Sequence, residues 1–163
     1  MTKVKSLLFI AFMLLGFANS KAQSLKADDQ LAIQNLVSQW NQLQDDGNVA
    51  AFMPLWTGNA VFTNPFGKFE GKEAIQKFVE GYVSGFAKGK RHQSPNITIA
   101  GNGKTATVVE DLNVVEVNEI PFIAATVRLN ASLVKENGTW KFTAVTLAID
   151  PGFMKLQEKM KKG

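Results

Sequence analysis

DDGNVAAFMPLWTGNAVFTNPFGKFEGKEAIQKF, Asp45 to Phe78, is the stretch whose reading decides the fold of this chain. Asp46-Gly47 ends a helix, and a short helix follows from Val49 to Trp56 with Phe52, Leu55 and Trp56 on one side. Val61 and Phe62 read as a short strand. Asn64-Pro65-Phe66-Gly67 reads as a tight turn, because proline presets one backbone angle while Asn and Gly accept the others a turn needs. After Gly71 a third helix carries Ile75, Phe78, Val79, Tyr82 and Phe86 at helical spacing, with Gly89 as its expected stop.

Upstream of that stretch, Ile33, Leu36, Val37, Trp40 and Leu43 recur at helical spacing and predict an amphipathic helix over residues 27–45, with Asp28 and Asp29 expected to cap its start. Downstream, from residue 92, the period becomes that of strands. Ile97–Ala100 and Thr105–Val117 flank Gly101-Asn102-Gly103, and Ala124–Lys135 and Thr139–Ile149 flank Glu136-Asn137-Gly138; both connections signal hairpins. Glu119-Ile120-Pro121 reads as a turn between strands. Val127, Leu129, Ala131 and Leu133 alternate with Thr126, Arg128, Asn130 and Ser132, so that sheet has one face on the core. Asp150-Pro151 then opens a last helix bearing Phe153, Leu156 and Met160. Three helices followed by four long antiparallel strands predict an α+β domain with its helices on one face of the sheet.

The first 22 residues stand apart. Lys3 and Lys5 precede an apolar run from Leu7 to Phe17, and Ser20-Lys21-Ala22 places small residues where a signal peptidase reads them. A membrane-spanning helix needs about 20 apolar residues, so this run predicts a cleavable signal peptide over residues 1–22, no stable membrane anchor, and an exported domain of residues 23–163 that is periplasmic or extracellular. With no cysteine in the chain, no disulfide can form and the core alone must hold the fold. Lys3, Lys5 and Lys21 leave with the leader; of the 18 basic residues, 15 then face 14 acidic ones, and the basic character of the whole chain disappears. Lys155, Lys159, Lys161 and Lys162 crowd the end, where a helix C-terminus favours cations. No basic stripe with interleaved aromatics is present, so no nucleic-acid partner is expected.

The order of elements, together with Asp45-Asp46-Gly47-Asn48-Val49, Leu55-Trp56, Ala60-Val61-Phe62-Thr63-Asn64-Pro65-Phe66-Gly67 and Phe69-Glu70-Gly71-Lys72-Glu73-Ala74-Ile75 with Phe78, resembles the nuclear transport factor 2-like superfamily, closest to its SnoaL-like and ketosteroid isomerase-like branches. The likeness runs over residues 28–149. It implies a cystatin-like cone, a curved antiparallel sheet wrapped around three N-terminal helices and open at one end to an apolar pocket, and it implies pairing of two subunits through the convex sheet face, where Arg128 and Asn130 would lie. A fold hosts many activities, so the chemistry must come from the site.

The isomerase branch needs a carboxylate base, a Tyr and a protonated Asp. By the resemblance these positions are Asn64, Trp40 and Val127 in this chain. An amide cannot take up the proton, an indole donates but cannot accept, and a valine does neither, so steroid-isomerase chemistry is rejected. What remains is a candidate ligand pocket of Trp40, Phe52, Trp56, Asn64, Phe66, Phe78, Tyr82 and Val127, fitted to a small apolar ligand with Asn64 as a polar handle; the plainer alternative is that the aromatics fill the core and that Asn64 bonds its own turn. His92 is the sole histidine, which argues against a Ser-His-Asp triad and, without cysteine, against a zinc site; no metal or cofactor is expected. It is read as exposed or at the pocket mouth. Glu110 and Asp111 interrupt an apolar strand, and one of them must face inward or lie at a bulge. Asp150 is read as a cap. Three functions follow: a non-catalytic binder of a small, mostly apolar molecule; a small-molecule lyase, cyclase or hydratase using Glu110, Asp111 or His92; and a dimerisation or protein-interaction module.

Overall fold

The computed structural model describes residues 24–162 of the 163, so the proposed leader lies outside the described residues. Helix α1 (Ala27–Asp45) buries Ile33, Leu36, Val37 and Trp40 along one side, as the apolar spacing requires. Its start differs from the expectation. Lys26 holds the N-cap position without a side-chain bond, and Asp29 instead turns inward to accept from Lys135 Nζ at 2.6 Å and Trp140 Nε1 at 2.9 Å. Those two hydrogen bonds, the lysine's first, hold the Asp29 carboxyl below its ordinary range. The residue is a clamp between the helix and the far hairpin.

Helix α2 (Val49–Phe52) is shorter than expected. Asn48 caps it by accepting from Ala51 N, and Pro54, which lacks an N–H, shares a tight 3-10 turn over Met53–Leu55 before the chain becomes extended at Trp56. The strand expected at Val61 and Phe62 is longer, β1 (Trp56–Asn64), and it pairs across the Pro65-Phe66 turn with a second strand, β2 (Gly67–Glu70). Helix α3 (Lys72–Ser84) stops at Gly85, whose N–H bonds Gly81 O at 3.1 Å, and not at Gly89. Gly89, at φ +77°, turns the chain into β3 (Lys90–Gly101), which starts seven residues earlier than the apolar run suggested.

Strands β4 (Thr105–Glu116), β5 (Phe122–Glu136) and β6 (Thr139–Ile149) follow, and helix α4 (Pro151–Met160) opens on Asp150, whose carboxylate accepts from Phe153 N at 3.0 Å. The β5–β6 hairpin has Asn137 and Gly138 both at positive φ, the type I′ geometry that this dipeptide favours. The six strands lie in the order β2-β1-β6-β5-β4-β3. Every pair is antiparallel except β1 with β6, which is parallel. Register shifts at Gln93/Asn96, Val114/Val115 and Ser132/Leu133 bend the long strands, as bulges do, and the curved sheet folds around the helices. Between the two layers lies the core, whose largest fully buried side chains include Trp40, Phe52, Trp56, Phe62 and Phe142.

Candidate functional site

A cavity of about 110 Å³ remains between the sheet and the helices. Helix α1 contributes Trp40 and Gln44, β1 and its turn contribute Phe62, Asn64 and Phe66, α3 contributes Phe78 and Tyr82, and the long strands contribute His92, Leu112, Val127 and Leu147. Six of the eight pocket residues expected from sequence therefore meet there. Phe52 and Trp56 do not: both are fully buried and pack against each other as tilted rings at 5.9 Å, with Trp56 also against Phe142 at 5.5 Å. They are core, because the extended chain from Trp56 turns that side chain beneath the sheet rather than toward the opening. Against the roughly 150 Å³ of a cavity that holds one benzene ring, the enclosed space as it stands is smaller. Phe66 and Phe86, 60% and 49% exposed, stand at the rim 5.6 Å apart.

The walls are aromatic for a local reason. Phe78 and Tyr82 sit one helical turn apart on α3 and stack at 5.7 Å, and Phe69 of β2 stacks on Phe78 at 4.3 Å. The three positions singled out by the isomerase resemblance, Asn64, Trp40 and Val127, do converge on this cavity. Asn64 spends its carbonyl on the turn, accepting from Phe66 N at 2.8 Å. Trp40 keeps a buried indole N–H with no protein partner.

One side of the cavity is polar. Asp45, the last residue of α1, accepts from the backbone N–H of His92 at 3.0 and 3.2 Å and lies 2.5 Å from the His92 ring Nδ1. An acid at a helix C-terminus is disfavoured by the helix dipole, and here His92 compensates it, while Arg91 donates to the Asp45 carbonyl at 2.9 Å. With Asp45 ionised, Nδ1 carries the proton in the hydrogen bond, and Nε2 faces the Tyr82 hydroxyl at 3.4 Å. Burial, and then the Asp45 charge, pushes the Tyr82 phenol up to about 12, so it remains a donor. The His92 side chain is only 2% exposed, which corrects its expected placement as an exposed residue and leaves it in the cavity wall.

Of the neighbouring acids, Glu110 faces inward and Asp111 outward, where Arg128 Nε lies 2.7 Å from its carboxylate. Glu110 is fully buried; Asn41 Nδ2 donates to its Oε1 at 3.0 Å and the Ser94 hydroxyl bonds the same oxygen. Burial is the main cause that pushes its carboxyl up from the ordinary range. Sequence reading missed Asp45 as a site residue because its partner lies 47 positions away. The available signal was an acid at the final position of a helix. For Glu110 the signal was parity, since Ala106, Val108, Leu112 and Val114 share its face and are all buried.

A curved sheet closed over three helices around an apolar cavity defines the cystatin-like class of folds. The chain belongs to the SnoaL-like domain family, whose model matches residues 26–146. Among solved structures, it is similar to a cystatin-like-fold protein of unknown function from Nostoc punctiforme, at 27% identity and a TM-score of 0.74 over 80% of this chain and 98% of that one. A nuclear transport factor 2-like protein from Novosphingobium aromaticivorans matches at 19% identity and 0.69, over 79% and 88% of the two chains. Aln2 from Streptomyces matches at 14% and 0.70, over 81% and 98%. No protein of curated function matches the sequence.

Proposed function

We propose that this SnoaL-like domain binds one small, mostly apolar molecule and moves a proton on it, as a lyase, cyclase or hydratase does, with His92 as the base, Asp45 as its orienting partner and Tyr82 as the neighbouring hydroxyl donor. The observation that carries the reading is the chain Asp45–His92–Tyr82, whose His92 and Tyr82 stand in the wall of an apolar cavity with Asp45 behind them. An imidazole is the general base most used for such work, and it acts best when a carboxylate fixes its tautomer. The 3.4 Å contact between Nε2 and Tyr82 is long enough for a substrate to displace. In a dehydration, Nε2 takes the proton from a carbon beside a carbonyl, the C–H electron pair passes into the enolate, and that pair expels a β-hydroxyl, which leaves as water with the proton returned from the ring.

The second reading is binding without chemistry, favoured by the single indole N–H of Trp40 left free beside the cavity as a handle for a ligand carbonyl. One experiment separates the two. A panel of small β-hydroxy ketones is offered to wild type and His92→Gln, with enone absorbance as the readout and an environment-sensitive apolar dye reporting occupancy. Proton transfer predicts turnover of a panel member that falls by about 10²- to 10⁴-fold in His92→Gln while dye affinity holds. Dye binding with no turnover by wild type selects the binder.

We further propose that the domain works outside the cytoplasm, the support being the leader-like residues 1–22. Intact mass of the protein from its native host should then begin at Gln23. A chain that retains Met1 to Ala22 overturns this.

A further inference from the structure

The proton-transfer reading uses Asp45 and His92, and leaves unexplained a fully buried acid beside them. Glu110 Oε1 accepts from the Asn41 amide and bonds the Ser94 hydroxyl, and Asn41 Nδ2 also reaches Ser94 Oγ at 2.8 Å. Two buried atoms of this cluster have no protein partner: Glu110 Oε2 and Asn41 Oδ1. The placement of its members is the informative part. Asn41 is four residues before Asp45, on the same face of α1, and Ser94 is two residues after His92, on the same side of β3. Asn41, Ser94, Asp45 and His92 line one open groove between the helix and the strand.

We propose that Glu110 is the positioning residue of the site: accepting from the Asn41 amide and bonded to Ser94, it braces the last turn of α1 against β3 and so sets the distance between Asp45 and His92. This rests on the proton-transfer reading only for its consequence; the brace itself is a property of the folded chain. Burial shifts the acid in the brace towards its neutral form. A carboxylate would leave Oε2 buried with no donor facing it, at full desolvation cost, and a proton on that oxygen removes the charge. The surroundings agree. Across the sheet Glu110 stands in register with Ile97 and Leu129; the hydrogen bonds from Ser94 and Asn41 and a charge on His92 of β3 would favour ionisation, Asp111 on β4 opposes it, and the desolvation outweighs the groups that favour it.

The test uses the one histidine in the chain, whose Nδ1 proton, held by Asp45, should give a single far-downfield resonance in the intact domain. Glu110→Gln keeps an oxygen that accepts from Asn41 and Ser94, and should leave that resonance and its exchange with water unchanged. Glu110→Leu removes the brace without introducing a polar atom, and should speed exchange of the Nδ1 proton by about tenfold or more, the scale of one lost buried hydrogen bond. Thermal melts supply the charge state. A glutamic acid whose folded value is raised contributes stability in full below the ordinary carboxyl value and loses it as pH rises through the folded value, so wild type should lose ground to Glu110→Gln on moving from pH 4 towards pH 8. An unchanged exchange rate in a folded Glu110→Leu overturns the brace, and a wild type that gains on Glu110→Gln with rising pH overturns the neutral acid. Neither result depends on turnover: an intact brace in a protein that moves no proton refutes the functional reading alone.

Discussion

Asp45→Asn is expected to lower turnover of a proton-transfer substrate by about 10²- to 10⁴-fold while leaving the fold intact. An asparagine oxygen can still accept the His92 backbone N–H, so the tie between α1 and β3 survives. Its nitrogen, however, is a donor where the carboxylate was an acceptor. Facing that donor, Nδ1 must present its lone pair, the proton moves to Nε2, and the atom that should receive the substrate's proton is already occupied. Ligand affinity should change little, because Asp45 does not line the apolar cavity. Pairing the substitution with His92→Gln should cost no more than His92→Gln alone, since the two residues act as one unit. The check is the enone-absorbance assay on both variants. Turnover within about threefold of wild type in Asp45→Asn would show that His92 does not depend on its partner, and with that the dyad would lose its place in the mechanism.

The largest loss of stability should come from Trp56→Ala, about 3–5 kcal/mol, measured by denaturant unfolding. Trp56 is fully buried, and its ring meets Phe52, Phe62 and Phe142 at 5.5 to 5.9 Å, so an alanine leaves a void bounded by rings that cannot all close on it. Against a total of roughly 5–15 kcal/mol for a domain, that brings the native state close to its limit. Trp56→Phe should cost far less. It keeps most of the ring and removes the buried Nε1–H, which has no partner in the fold. By contrast Phe66→Ala, at the exposed rim, should change stability by less than about 1 kcal/mol. A Trp56→Ala protein as stable as Phe66→Ala would place Trp56 outside the core and restore it to the ligand pocket.

The helices α1 and α3, the two hairpins and the Asp150 cap were legible because each rests on neighbours within a few positions: apolar spacing, Asn-Gly, Asp-Pro. Errors fell where a local rule was overridden by a distant partner. Asp29 looks like a helix cap and is one side of a clamp to Lys135 and Trp140, more than a hundred residues away. β1 looks short because only Val61 and Phe62 are strongly apolar, yet it runs to nine residues because β6 lies alongside it in parallel and β2 on its other edge. β3 looks as if it starts at Ile97, and its polar first half is strand because β4 pairs with it and Asp45 holds it.

The sequence by itself determined the α+β layering and carried the family resemblance, because residue identity and spacing along one chain are enough for each. It also narrowed the aromatics to a pocket-or-core choice. Only the tertiary structure decided that choice, sending Phe52 and Trp56 to the core and Phe66, Phe78 and Tyr82 to the cavity, and only it joined Asp45 to His92 and turned Glu110 rather than Asp111 inward. The reason is physical. A proton-transfer pair is defined by a distance of a few ångströms between side chains, and when 47 residues separate the two along the chain, that distance is set by how α1 docks on the curved sheet, a product of packing that no local pattern encodes.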